Sequence, residues 1–191
     1  MKFQNHYYVM RHGESKANEE GIIVSDPATG VKSYGLTEYG REVSQAGILK
    51  TMLPAILSRI YTSDFLRARE TGEIVAQTCG LPQMEVSPLL RERFFGNLEG
   101  KGDSSYEEVW KRDRKDADNT WEGVESPRQV EARLKDFLEE TEERHYGETI
   151  LLVAHGDVLQ ILLAMTTGTA VHLHREIPHL DKAEIRPLIG E

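Results

Sequence analysis

An α/β fold, with a parallel or mainly parallel sheet covered by helices, is predicted by three features of this 191-residue sequence. Short β-rich runs alternate with longer segments of helical periodicity, the pattern of repeated strand–helix–strand units. One run, Ile150 to Ala154 (ILLVA), is continuously apolar, as a central strand covered on both faces would be. The hydrophobic fraction of 39% is spread along the chain with no internal repeat or low-complexity linker, so one core and a single domain over residues 1–191 are expected.

The elements follow in order. The first strand is expected at Tyr7 to Met10, followed by a loop rich in Gly, Asp and Pro through Ser33. Thr37 stands where a helix would be capped, and that helix is predicted to run to about Leu53, where Pro54 stops it. Arg59 to Ser63 reads as a second strand. Asp64 is the expected N-cap of a helix through Cys79, closed by Gly80 and then Pro82. In that helix Ala68, Thr71, Val75 and Cys79 form a narrow stripe of small residues facing the sheet. A weaker strand is expected near Met84 to Ser87.

Ser126, Pro127 and Gln129 make a capping-box start for a helix to about His145, with Val130, Leu134, Phe137, Leu138 and Thr141 on its buried side and Gly147 ending it. The ILLVA strand is followed by a helix from about Asp157 to Thr167. Two further strand-like pieces, Arg175 to Ile177 and Ala183 to Pro187, complete the tail.

Thirty-two acidic against 23 basic side chains leave a net charge of −9, which disfavours a nucleic-acid backbone or an anionic membrane surface as partner. The same acidity weighs against a highly charged substrate, although net charge says little about one cleft. Cys79 is the single cysteine and cannot form an intrachain disulfide, so a reducing, cytoplasmic setting is expected. Residues 1–10 lack the apolar core of a signal peptide, and the apolar runs Ile150 to Ala154 and Ile161 to Met165 are too short to span a bilayer. Oligomeric state is not written in the composition, and a homodimer is left open.

Two histidines occupy equivalent places. Met10-Arg11-His12-Gly13-Glu14-Ser15 follows the first strand, and Ala154-His155-Gly156 follows the ILLVA strand. Carboxyl ends of parallel strands form the crevice where such sheets bind ligands, so the two histidines are expected to be neighbours in space. Arg11 and His12 can both serve one pocket only if the chain has left the extended conformation there, and Gly13 is the residue expected to permit that turn. Arg67, in the first turns of the helix after Arg59 to Ser63, and the run Leu90-Arg91-Glu92-Arg93-Phe94-Phe95-Gly96 complete a set of four charged motifs.

Taken together, Arg11 to Ser15 with Asn18 after it, T-S-D-F-L-R-A-R-E-T at 62–71, L-R-E-R-F-F-G-N-L-E-G at 90–100 and V-A-H-G at 153–156 resemble the histidine phosphatase superfamily, in its phosphoglycerate-mutase-like branch. The resemblance spans nearly the whole chain and implies a three-layer αβα sandwich around a mainly parallel sheet. It implies that His12 is the nucleophile that becomes phosphohistidine, that Arg11, Arg67 and His155 complete the phosphate pocket, and that Glu92 is the acid/base. Asn18 matches a residue that contacts the transferring phosphoryl group. Ser15, Gly156 and Arg93 are further candidates beside these motifs.

The chemistry supports those roles independently. A phosphoryl group in flight spreads charge over three oxygens, so catalysis needs positioning and preorganised positive charge, which a planar guanidinium supplies two oxygens at a time. His12 must present a neutral nitrogen, with its other nitrogen held by an acceptor such as a backbone carbonyl in the Arg-His-Gly turn. Glu92 would protonate the leaving oxygen and then take a proton from water, and the negative charge of bound phosphate would raise its pKa.

Hydrolysis of a small phosphate monoester is favoured over mutase chemistry. The His-Tyr pair that follows Glu-Arg in family mutases is Phe94-Phe95 here, and only 62 residues separate Glu92 from His155. A phosphoglycerate-type mutase is the alternative, and a non-catalytic phospho-ligand scaffold a further one.

Residues 106–118 read as a solvated amphipathic helix with Ser104 and Glu107 as its capping box. In the competing reading, Lys111, Arg112 and Arg114 lie on a lid and select a second anionic group. Trp121 would either anchor a loop or line the pocket mouth. No cofactor and no metal is expected: paired carboxylates for magnesium and Cys/His spacings for zinc are missing. His172, His174 and His179 read as loop residues rather than ligands.

Overall fold

The computed structural model describes residues 2–189. Five strands, β1 (His6–Arg11), β2 (Arg59–Thr62), β3 (Glu85–Val86), β4 (Thr149–Ala154) and β5 (Ile185–Leu188), form one sheet in the order β3-β2-β4-β1-β5. All neighbours pair in parallel except β5, which runs antiparallel to β1 at the edge. Among the described residues eight α-helices intervene: α1 (Lys16–Glu20), α2 (Pro27–Gly30), α3 (Glu38–Leu49), α4 (Leu53–Ile56), α5 (Leu66–Cys79), α6 (Tyr106–Asp113), α7 (Pro127–Arg144) and α8 (Gly156–Thr167).

The alternation of β4 explains the layering. Ile150, Leu152 and Ala154 point to one face and pack with Val130, Leu134 and Phe137 of α7 and Val158, Ile161 and Leu162 of α8. Leu151 and Val153 point to the other face, against Ile48 of α3, Leu53 of α4 and Ala68 and Val75 of α5. A strand covered on both sides has no polar face to show, hence its unbroken apolar run. The architecture is therefore the mixed, mainly parallel α/β sheet with helices on both faces that the sequence predicts. No helix among the described residues is long and apolar enough to cross a membrane.

The capping signals hold where a side chain meets its amide. The Thr37 hydroxyl accepts from the Gly40 amide at 3.0 Å, and Ser126 and Gln129 form the reciprocal capping box of α7. Gly80 closes α5 at φ +67°.

Several expectations are corrected. The helix begun at Thr37 ends at Leu49, and Pro54 sits in the first turn of the separate α4, where its missing N–H costs nothing. Asp64 does not cap α5, whose N-cap is Phe65; its carboxylate instead grips Arg91 at 2.6 Å. Arg175 to Ile177 is no strand, because Val171–Glu176 winds into a 3₁₀ helix; only the second tail piece pairs, as β5. The helix at 106 stops at Asp113 and lacks the Ser104 and Glu107 capping box. The loop after β1 holds two short helices, α1 and α2.

Candidate active site

The chain leaves β1 toward the α3 face and β4 toward the α8 face, so a crevice opens between their carboxyl ends. Arg11 is the last residue of β1, and the His12 amide still donates to the Ala154 carbonyl at 3.0 Å, which ties the two His-Gly motifs together. The rings of His12 and His155 meet edge to face with centroids 5.1 Å apart. Gly13 has no positive φ. Its requirement is close approach, since a Cβ there would lie 2.3 Å from the Gly40 carbonyl oxygen and 2.4 Å from Ser44 Oγ. The chain does leave the strand after Arg11, and the glycine is needed there because it lets the backbone after His12 sit on α3.

His12 is locked in one tautomer. Its Nδ1–H donates to the Gly13 carbonyl at 2.7 Å, and its Nε2 accepts from Arg67 Nε at 3.1 Å. Burial, followed by the charges of Arg67 and Arg11, holds its pKa well below the usual histidine value, so the ring is neutral at neutral pH. His155 is fully buried between His12 and Phe65, whose ring centroid is 5.3 Å away, and burial followed by the Arg67 charge depresses its pKa likewise.

Arg67 enters from the first turn of α5, donates to the Val24 carbonyl at 3.0 Å, and lies 5.0 Å over the Phe65 ring. Arg11 is held by the Leu180 carbonyl at 2.9 Å and by His179 Nε2. Arg11 Nε, Arg67 Nη1 and both ring nitrogens of His155 are buried without a hydrogen-bond partner among the described residues. Buried polar atoms without partners are costly, and here they cluster around one histidine.

Arg11, His12 and Arg67 open onto a cavity of about 270 Å³ that Glu92, Gly156 and Asn18 also line, whereas His155, buried beside His12, is not among the lining residues. Glu92 accepts from the Arg93 amide at 2.9 Å. Its pKa is raised to about 7, first by burial and then by the nearby Asp157 carboxylate, against the opposing charges of Arg67 and Arg11. Burial therefore raises Glu92 before any phosphate is considered. Among the described residues no group of three or more His, Cys, Asp or Glu side chains could hold a metal ion.

The other sequence candidates divide. Asn18 and Ser15 line the cavity, but the Ser15 hydroxyl is committed to capping α1: it accepts from the Asn18 amide at 3.3 Å and donates to Asn18 Oδ1 at 3.0 Å. Asn18 Oδ1 is fixed further by the Ser15 amide at 3.1 Å. Arg93 does not line the cavity. It is fully buried, clamped by Asp113 at 2.5 Å and by Asp157 at 3.4 Å. Lys111 and Arg112 also lie outside it, exposed and paired within α6 to Glu107 and Glu108. Arg114 pairs with Glu176 across to the 3₁₀ helix.

Trp121 is an anchor: it packs on Val109 and Val124 and carries the Arg112 guanidinium 4.4 Å over its ring. The histidine cluster is dispersed, with His174 buried on the Val171 carbonyl and His179 on Arg11.

Sequence reasoning missed the cavity roof. Trp110 Nε1 donates to both Asp157 oxygens at 3.0 and 3.1 Å, and Arg175 reaches Asp157 at 3.3 Å while lying 3.6 Å over the Trp110 ring. Burial pushes the Asp157 carboxyl up, but contact with His174 and the charges of Arg93 and Arg175 outweigh this and hold it well below the usual range. His174 Nε2 lies 3.8 Å from this carboxylate, beyond hydrogen-bond length. A carboxylate directly after His155-Gly156 was a visible signal for Asp157. Arg175 and His179 had none, because only folding returns the tail to the cleft.

An α/β sheet thus gathers two arginines, two neutral histidines and a carboxyl of raised pKa at its central strand ends. Residues 7–189 match the model of the histidine phosphatase superfamily (branch 1), and the chain belongs to that superfamily. A Photorhabdus laumondii protein named probable phosphoglycerate mutase GpmB is 33% identical over 177 residues, covering 89% of this chain and 78% of its own. The metal-independent phosphoserine phosphatase of Arabidopsis thaliana is 29% identical, covering 90% and 75%. In fold the chain is similar to a mycobacterial glucosyl-3-phosphoglycerate phosphatase, with a TM-score of 0.78 at 24% identity, covering 95% of this chain and 88% of that one.

Proposed function

We propose that this chain is a phosphomonoesterase that hydrolyses a small phosphate monoester through phosphohistidine on His12, with Glu92 as acid and then base. The observation that carries the reading is the convergence of buried, partnerless nitrogens of Arg11, Arg67 and His155 on a neutral His12. A tetrahedral anion offers acceptor oxygens for the arginine N–H groups and for the single N–H of a neutral His155. The monoester phosphate would sit against Arg11 and Arg67, with Asn18 at its edge.

In the first step His12 Nε2 is released from Arg67 and attacks phosphorus. The bond from phosphorus to the ester oxygen breaks, and the Glu92 proton passes to that oxygen. The positive charge that develops on the ring is shared through Nδ1–H with the Gly13 carbonyl. In the second step the Glu92 carboxylate takes a proton from water, the resulting hydroxide oxygen bonds to phosphorus, and the phosphorus–nitrogen bond breaks. Inorganic phosphate leaves and His12 returns to its neutral form. A pKa of about 7 suits Glu92 to both halves. The arginines supply the positive charge, so the reaction is expected to need no metal or organic cofactor.

The test is to mix the protein with phosphomonoesters in chelator, quench at alkaline pH and look for acid-labile phosphate on His12. A burst followed by free phosphate supports hydrolysis. Transfer to a second alcohol without release would make the chain a mutase, and no labelled histidine with any ester would defeat the reading.

A further inference from the structure

We infer that the substrate's leaving alcohol carries no second phosphate or carboxylate, and that Asp103 at the cavity mouth selects against one. This rests on the phosphomonoesterase reading above and names the substrate class of the same site. Three arginines line the cavity, and no lysine does. Arg11 and Arg67 belong to the phosphate being transferred. The third, Arg175, is already spent: it pairs with Asp157, bonds Gln160 Oε1 and lies flat on Trp110.

Most basic residues near the cavity in sequence are committed elsewhere, and Lys16 and Lys101, exposed next to Ser15 and close to Asp103 in the chain, are not among the lining residues. Arg93 is locked between Asp113 and Asp157, and Lys111, Arg112 and Arg114 pair with Glu107, Glu108 and Glu176 outside the cavity. Beyond the phosphate the lining includes an aromatic run, with Phe95 edge-on to Tyr106 and Tyr106 stacked on Trp110 at 5.4 Å, and the acidic side chains Glu92, Asp103 and Asp157. Asp103 is exposed at the rim, and among the described residues no cation lies within salt-bridge distance of it. A second anion entering here would lose water, find no free cation among the lining residues and face a carboxylate. An uncharged polyol or an amino alcohol meets none of those penalties.

Matched esters isolate the charge. Glycerol 3-phosphate and 3-phosphoglycerate share a phosphorylated carbon and differ by a hydroxymethyl against a carboxylate; fructose 6-phosphate and fructose 1,6-bisphosphate differ by one phosphate. The expected kcat/KM is about tenfold or more higher for the less charged member of each pair.

Asp103→Asn is expected to narrow that ratio roughly two- to fivefold, with the effect shrinking as salt is added. Asp157→Asn frees the Arg175 charge and is expected to narrow the ratio further. Should that variant fold poorly, the exposed Asp103→Asn still reads the effect. Equal or better turnover of 3-phosphoglycerate, or a ratio unmoved in both variants, overturns the inference. If no ester is turned over and His12 is never phosphorylated, the phosphomonoesterase reading falls. Calorimetric Kd values for the same pairs then decide the charge preference separately, with tighter binding of the less charged member expected and equal or weaker binding contradicting it.

Discussion

The floor of the cleft and its roof both bury arginine, and they treat it in opposite ways. In the roof, Arg93 is wholly enclosed, and two carboxylates, Asp113 and Asp157, take up its charge. On the floor Arg67 is just as buried, yet among the described residues it has no carboxylate within ion-pair distance, donates to a neutral histidine and a carbonyl, and keeps one nitrogen without a partner. A buried charge whose partners are all internal holds elements together. One left unbalanced by the fold costs stability, and in the proposed reaction its partner is the substrate phosphate.

The largest expected effect tests the floor at its centre. His12→Ala should lower kcat about 10⁴-fold or more and abolish acid-labile phosphate on the protein, measured by steady-state kinetics and quench labelling. Next comes the pair that would break the comparison. Arg93→Met should lower unfolding stability by about 3–5 kcal/mol in a denaturant titration, because Asp113 and Asp157 are left buried without their cation. Arg67→Met should do the reverse, lowering kcat/KM about 10²–10³-fold while the melting temperature holds or rises. If both variants lose stability alike, the contrast between floor and roof is wrong.

The pH profile sharpens it further. In the proposed mechanism Glu92 serves the leaving oxygen as an acid, and its pKa is raised to about 7, so kcat/KM is expected to fall as pH rises past about 7. The depressed His12 pKa keeps the nucleophile neutral below the usual histidine range, which extends the plateau into mildly acidic pH. Glu92→Gln should lower kcat by about 10²-fold and remove the alkaline limb; an unchanged limb in that variant would take Glu92 out of the role.

The smallest effect is expected outside the cavity, where Lys111→Ala and Arg112→Ala should leave KM within about twofold, since exposed pairs along α6 carry little energy.

Much of the floor was legible because it is local. Arg11 with His12, and His155 with Gly156, each sit at the end of a strand whose burial the residue pattern announces, and parallel pairing of β1 with β4 brings those ends together. Arg67 follows from its place at the start of a helix after β2. The roof was not legible. Lys111 and Arg112 read as a solvated face with a substrate lid as the competing reading, and α6 turns them to solvent while leaving Tyr106 and Trp110 facing the cavity. Arg93, adjacent to Glu92, looks available until Asp113 and Asp157 close on it.

The sequence by itself determined the strand and helix order, the two-faced burial of Ile150 to Ala154, and the four motifs that belong to one family, because these depend on periodicity, capping and residue type along a short stretch of chain. Which cations remain free was decided only in three dimensions. Whether a charge is spent or available depends on partners that arrive from distant segments, as Asp157 from α8 reaches Arg93, Trp110 and Arg175 from three others. No local pattern encodes that pairing, since electrostatic balance in a buried cleft is a property of the packed assembly.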